Sequence, residues 1–127
     1  MRYNIAIDGP AGAGKSTIAK QLAKELSFIY VDTGAMYRSM ALYFMRNGIA
    51  KEDEAAISDA CKTVEVSIAY ENGEQQVLLN GENVSKEIRK EEVGKMASAT
   101  SVYKEVRTKL VELQQKLAAD KDVIMDG

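Results

Sequence analysis

Gly9-Pro10-Ala11-Gly12-Ala13-Gly14-Lys15-Ser16 decides how the rest of this chain is read. It satisfies the phosphate-binding pattern G-x-x-x-x-G-K-[ST] at every fixed position. Before it, Tyr3-Asn4-Ile5-Ala6-Ile7-Asp8 is short, largely apolar and bounded by a glycine, which reads as a buried strand. After it, Ile18, Leu22 and Leu26 recur every four residues with Ala19 and Ala23 beside them, the pattern of an amphipathic helix starting near Thr17. Strand, glycine loop and helix form the context that the motif requires. The combination points to a site that grips the phosphates of a nucleoside triphosphate.

Each loop position has a physical task. Gly9, Gly12 and Gly14 let the backbone turn tightly, so that successive N–H groups point inward as an anion-binding nest. Ala11 and Ala13 stand between them, and Pro10 reads as a φ-restricting turn residue. The positive end of the following helix dipole adds to the attraction. Lys15, the catalytic candidate, is expected along the β- and γ-phosphates, where it offsets charge as the terminal phosphoryl moves. The Ser16 hydroxyl is the expected magnesium ligand, and Thr17 offers its hydroxyl and N–H to the α-phosphate side. A glycine-rich turn that binds nothing would not require both flanks to agree with the motif.

Composition narrows the class further. The chain has 127 residues, enough for one domain or part of one, and 46% of them are apolar, enough for a core. A formal net charge of −2 argues against sequence-independent nucleic-acid binding. Cys61 is the only cysteine, so no intrachain disulfide forms, which fits a reducing cytoplasm. It reads as a small packed residue, with a reactive thiol as the alternative. The absence of histidine removes imidazole bases and His-ligated zinc. No apolar run reaches transmembrane length, and a strand within three residues of Met1 leaves no room for a signal peptide. A cytoplasmic protein is expected, with no membrane partner.

Phe28-Ile29-Tyr30-Val31 is a second strand candidate ending at Asp32-Thr33-Gly34, and a strand–helix–strand order implies a right-handed parallel unit. Ala35 to Arg46 reads as a helix stopped by Asn47-Gly48. Ligands of open α/β sheets collect beyond the carboxyl ends of the strands, where Thr33 and Arg38 fall. The Arg38 guanidinium there suits a second phosphate; a surface arginine paired with a helix neighbour is the equal alternative on the residues alone.

Gly9 to Ser16, then Asp32-Thr33-Gly34-Ala35-Met36-Tyr37-Arg38, then an apolar run ending Asp126-Gly127, resemble bacterial cytidylate kinase in order and spacing over the whole chain. The loop alone is widely shared; the Asp32 to Arg38 segment is far more specific. The resemblance implies an α/β phosphate-loop kinase core and magnesium-dependent phosphoryl transfer from ATP to CMP or dCMP. It implies monophosphate contacts at Arg38 and Thr33 and base-edge contacts at Ser98 and Arg107, within segments Glu92 to Ser98 and Tyr103 to Arg107. On the residues alone the plainer readings prevail, Ser98 as a helix serine bonding its own backbone and Arg107 as part of a solvated face. Asp126 ends a short apolar run, where such proteins place an acid on magnesium; that role is the favoured reading, with an acid that merely ends a strand as the alternative. Asp8 is the weaker candidate of the same kind.

The middle of the chain is consistent with this. Val64, Val66, Ile68 and Tyr70 alternate toward one face, Asn72-Gly73 signals a hairpin, Gln76 to Leu79 returns, and Asn80-Gly81 turns again. A short helix from Glu52 to Lys62, with Ala56, Ile57 and Ala60 inward, precedes this antiparallel insert. Helices from Glu91 to about Ala99 and from about Val102 to Ala118 follow. The insert resembles the enlarged monophosphate-binding domain of the family; by itself it carries no chemistry. Three parallel strands are expected near 3–8, 28–32 and 123–126. Residues 1–34 and 119–127 would form the nucleotide-binding core, and 35–118 the monophosphate-binding part with its sheet near 64–79.

The family continues past this point with an Arg-Asp pair, an arginine-rich lid and further strands. The resemblance therefore implies a core truncated at its C-terminal end, a full-length kinase that is a monomer, and a 127-residue chain that is not competent alone. Three rivals stand beside it: another small-molecule phosphate-loop kinase, such as one for shikimate; a GTPase switch, whose Asn-Lys-x-Asp and Asp-x-x-Gly motifs do not occur; and a nucleotide-binding module without catalysis.

Overall fold

Three short apolar runs, far apart in sequence, pair as one parallel sheet in a computed structural model that describes residues 4–7, 15–26, 28–71 and 74–126. They are β1 (Asn4–Ile7), β2 (Ile29–Val31) and β6 (Val123–Asp126), in the order β1-β6-β2. The last strand is the central one, with Ile7 opposite Asp126 on one side and Val31 opposite Met125 on the other. All three residues of β2 are buried, as expected of a strand with helices available to cover it.

The chain divides into two compact units, Met1–Asp32 with Gln114–Gly127, and Thr33–Leu113. In the first, helix α1 (Lys15–Leu26) packs on β6 and β2. Its helical character agrees with the apolar spacing, and it begins two residues earlier than Thr17. Its buried face differs. Ala19 and Ala23 are buried and cluster with Tyr30 and Ile124, against which Leu22 and Phe28 pack. Ile18 is 57% exposed and Leu26 45%. An i, i+4 row rotates around the helix by about 40° per step, so its two ends cannot both face a flat sheet. Small alanine side chains let the helix approach closely, and that sets the contact line through them. Lys20 lies 5.5 Å from the Tyr30 ring centroid, a cation–π contact across the same surface.

The second unit begins with α2 (Thr33–Arg46), two residues before Ala35, so Thr33 is its first residue. The helix stops at Asn47-Gly48. Gly48 adopts φ +67°, and the Ile49 N–H donates to Phe44 O at 3.0 Å, the left-handed stop read from the sequence. Helix α3 (Glu54–Cys61) is capped by Asp53, whose carboxylate accepts from Ala56 N at 3.2 Å. Its buried residues are Ile57 and Cys61, whereas Ala56 and Ala60 are only half-buried. The bulkier side chains take the core face and the alanines flank it.

The insert is a three-stranded antiparallel sheet of β3 (Val66–Glu71), β4 (Glu74–Leu79) and β5 (Glu82–Asn83). Val64, Val66 and Ile68 are buried, but Tyr70 at the strand end is 39% exposed, so the alternation fails at its last position. Asn80 (φ 50°) and Gly81 (φ 86°) are both left-handed, as a two-residue hairpin turn between β4 and β5 requires. Asn72-Gly73 lies outside the described residues. Arg46 at the end of α2 grips Glu82 of β5 through two bonds of 3.0 Å. Both side chains are exposed, so this pair orients β5 more than it stabilises the unit.

A short 3-10 helix (Glu87–Arg89) leads into α4 (Glu91–Thr100). The last helix, α5 (Lys104–Asp120), starts two residues after Val102, which is 65% exposed in the preceding turn. Val106, Leu110, Leu113 and Leu117 form its buried stripe. Two buried hydroxyls, on Ser39 and Thr100, donate to carbonyls four residues back at 3.0 and 2.8 Å, which satisfies them without a partner element. No helix of the described residues is long and apolar enough to cross a membrane.

Two outcomes follow for measurement. Ala23→Leu should destabilise the protein by about 1–3 kcal/mol through overpacking, while Leu26→Ser should stay within about 0.5 kcal/mol, both read from urea midpoints. Burial pushes the Cys61 thiol up to about 11, with the nearby Lys109 opposing only in part. This raised value contributes stability below the unfolded thiol's ordinary range that is lost as pH climbs toward 11. At pH 8 the folded protein should therefore react with a disulfide reagent far more slowly than the urea-unfolded chain; equal rates would contradict the buried placement.

Candidate functional site

Helix α4 carries two interleaved faces. Val93, Met96, Ala97 and Thr100, spaced i, i+3, i+4 and i+7, are buried. Glu91, Gly94, Lys95 and Ser98 repeat the same spacing two residues earlier and form the opposite, accessible stripe. Helix α2 packs against α4 and buries Met36, Met40, Ala41 and Phe44. Between them they leave an open cavity of about 640 Å³, lined by Arg38 of α2, by Arg89 and Lys90 at the junction before α4, and by Glu91, Gly94, Lys95 and Ser98 of α4.

The lining has four cations and one carboxylate. Lys95 sits 3.4 Å from Glu91, an exposed i, i+4 pair. Arg38 has no hydrogen bond or ion pair among the described residues, so the helix-neighbour pairing that its sequence position allowed is not formed. Its guanidinium lies instead against Gly94, where a Cβ would meet Nη2 at 3.4 Å. Ser98 also differs from the other helix hydroxyls. Ser39 and Thr100 bond their own backbone, whereas the Ser98 hydroxyl has no partner among the described residues. An uncompensated guanidinium, further cations and a free hydroxyl in one concavity make a surface suited to an anion that also presents polar edges.

The structure thus brings Arg38 and Ser98 into one cavity. Arg107 is exposed on α5 and does not line it. Thr33 is half-buried at the start of α2 and does not line it either. Asp8 and the loop residues Gly9, Pro10, Ala11, Gly12, Ala13 and Gly14 lie outside the described residues, as do the side chains of Lys15, Ser16, Thr17 and Asp126. The backbones of Lys15, Ser16 and Thr17 form the first turn of α1, and that of Asp126 stands beside Ile7, where β1 hands the chain to the loop. Among the described residues, no group of three His, Cys, Asp or Glu could hold a metal ion.

Sequence reasoning missed Arg89, Lys90 and Lys95. The signal was available: Lys95 shares the helix face of Ser98, and the run Lys86-Glu87-Ile88-Arg89-Lys90 precedes an N-terminal helix turn. It was lost because charge runs of this kind are usually solvated faces.

Comparison with known proteins agrees with this arrangement of elements. The family model described as cytidylate kinase matches residues 5–127. The curated cytidylate kinase of Caldicellulosiruptor bescii is 49% identical over 126 residues, 99% of this chain and 56% of that protein. That of Caldanaerobacter subterraneus is 51% identical over 127 residues, 100% of this chain and 55% of the relative. That of Geobacter sp. is 46% identical over 123 residues, 97% of this chain and 53% of the relative. The chain spans about half the length of the curated relatives it matches. A family model that matches nearly every residue, on a parallel sheet with an antiparallel insert, leaves one assignment: the chain belongs to the cytidylate kinase family.

Proposed function

We propose that this chain carries the donor site and much of the acceptor site of a nucleoside monophosphate kinase that transfers the ATP γ-phosphoryl group to CMP or dCMP. The observation that supports it best is the cavity in which Arg38 and Ser98 stand together, both without protein partners among the described residues, under a surplus of positive charge. Family membership supports the same reading.

In this reading Gly9 to Thr17 hold the triphosphate through backbone N–H groups, with Lys15 along the β- and γ-phosphates. Ser16 and Asp126 offer the hydroxyl and carboxylate oxygens that suit a hard divalent cation. Magnesium, when bound with ATP, supplies charge neutralisation on the triphosphate. Arg38 takes the monophosphate and Ser98 the base edge within the cavity; the family resemblance adds Thr33 to the first contact and Arg107 to the second, from outside the cavity lining. A CMP phosphate oxygen attacks the γ-phosphorus as the bond to the β,γ-bridging oxygen breaks, giving CDP and ADP. The attacking oxygen is already anionic, so no side-chain base is required and the absence of histidine has no consequence for the step. A cytoplasmic setting fits the single buried thiol.

Arg38→Ala should weaken CMP binding by about 10- to 100-fold, the value of losing a charge-assisted hydrogen bond. Ser98→Ala should weaken it by about 3- to 10-fold and reduce the preference for CMP over UMP. Isothermal calorimetry reads both, and CMP affinity unaffected by either change would remove the basis for the reading. In the full-length kinase, with ATP and magnesium, CMP and dCMP should stimulate ADP release at least about tenfold more than UMP, AMP or shikimate. Equal stimulation by shikimate or AMP would assign the site to a different phosphate-loop kinase.

A further inference from the structure

Gly94 stands in the interior of a ten-residue helix, where glycine is the poorest choice after proline. Nothing in its backbone requires it, since its N–H makes an ordinary helical approach to Lys90 O at 3.2 Å and its φ is not positive. What distinguishes the position is its neighbour. A Cβ built on Gly94 would lie 3.4 Å from Nη2 of Arg38, 3.8 Å from Cζ and 3.8 Å from Nε. Three atoms of the guanidinium at nearly equal range mean that the group as a whole rests on this spot. A single methyl would fit at the edge of van der Waals contact; any branch beyond it would need the volume that the guanidinium fills.

Arg38 has little else to fix it. It is exposed and has no carboxylate or carbonyl partner among the described residues. An arginine held by neither charge nor hydrogen bond keeps its rotamer freedom unless packing restricts it. The flat backbone patch at Gly94 supplies that packing. The same patch lies one helical turn from Ser98 and adjacent to Lys95, so it fixes the guanidinium relative to the other polar groups of the cavity.

We propose that Gly94 is a positioning residue: its missing side chain seats the Arg38 guanidinium against α4 and so fixes where the site holds the phosphate of a nucleoside monophosphate. The inference rests on the reading of the cavity as the CMP site. It adds a residue of the cavity wall whose effect is carried through Arg38. It also predicts a graded response to size, because Arg38 is exposed and yields to a larger neighbour by moving its charge while the fold persists.

The test is a double-mutant cycle on the full chain, with CMP affinity measured by calorimetry and folding by urea midpoint. Gly94→Ala should raise the midpoint, because alanine favours the helix, and weaken CMP binding by no more than about threefold. Gly94→Leu should keep a midpoint at least equal to that of the unchanged protein and weaken CMP binding about tenfold. In the Arg38→Ala background, Gly94→Leu should cause no further loss. If Gly94→Leu binds CMP as the unchanged protein does while Arg38→Ala binds weakly, the site stands and the positioning role is overturned. If Gly94→Leu weakens binding equally with and without Arg38, it acts by blocking the cavity and the positioning role is likewise overturned. If Arg38→Ala binds CMP normally, the reading of the site fails and takes this inference with it.

Discussion

The close packing of α2 on α4 is the constraint on which the candidate site depends. Both helices are short, 14 and 10 residues, and neither would persist alone in water. Their stability comes from burying Met36, Met40 and Phe44 on one side and Val93, Met96 and Ala97 on the other. Each fully buried side chain of this size contributes about 1.5–3 kcal/mol relative to exposure. Once those faces are committed, helical periodicity leaves no freedom for the rest. Arg38 must emerge beside α4, and the stripe of Glu91, Gly94, Lys95 and Ser98 must line the opening. The site is therefore a by-product of the core, and anything that shifts α4 by two residues, about half a turn, would exchange its polar stripe for Val93 and Met96.

The electrostatics of the opening run against the average of the chain. The whole sequence has a formal charge of −2, yet the cavity gathers Arg38, Arg89, Lys90 and Lys95 against Glu91 alone. Like charges held close raise the free energy of the empty site, and an anionic ligand lowers it by meeting several of them together. The Lys95–Glu91 contact does little to offset this, because exposed pairs of this kind contribute about 0.3–0.5 kcal/mol. Such an arrangement favours ligand capture over stability of the unliganded fold.

Much of the fold was legible in the sequence because its signals are local. The Asn47-Gly48 stop and the Asn80-Gly81 turn depend on backbone conformations that few residues tolerate, and both were found where they were read. The parallel strands were legible as apolar runs, and the insert as alternation. The errors share one cause: periodicity gives a helix but not which of its flanks a neighbour will touch. On α1, Ile18 and Leu26 carried more hydrophobicity than Ala19 and Ala23, yet the alanines make the contact because their size permits a close approach to β6. On α3, Ile57 is buried as read, but Cys61 joins it in the core in place of Ala56 and Ala60. For the site, Arg38 and Ser98 were legible through resemblance, whereas Arg89, Lys90 and the Gly94 seat required α2 and α4 to be placed against each other.

Strand order adds a constraint of a different kind. β1 and β2 each pair with β6 and not with each other, so the described sheet has no pairing at all until residues 123–126 arrive. Every strand contact in that unit is therefore long-range, separated by about ninety residues or more, and carries a loop-closure cost before it returns any stabilisation. Within Thr33–Leu113 the antiparallel partners are near in sequence, Glu71 with Glu74 and Leu79 with Glu82, and such contacts form early because the chain between them is short. The unit bearing the cavity can thus order from local contacts, while the sheet beside the phosphate loop depends on its most distant segment. It also follows that the backbone of Asp126 owes its place opposite Ile7 wholly to the central position of β6, which brings the last described residue of the chain beside the end of its first strand.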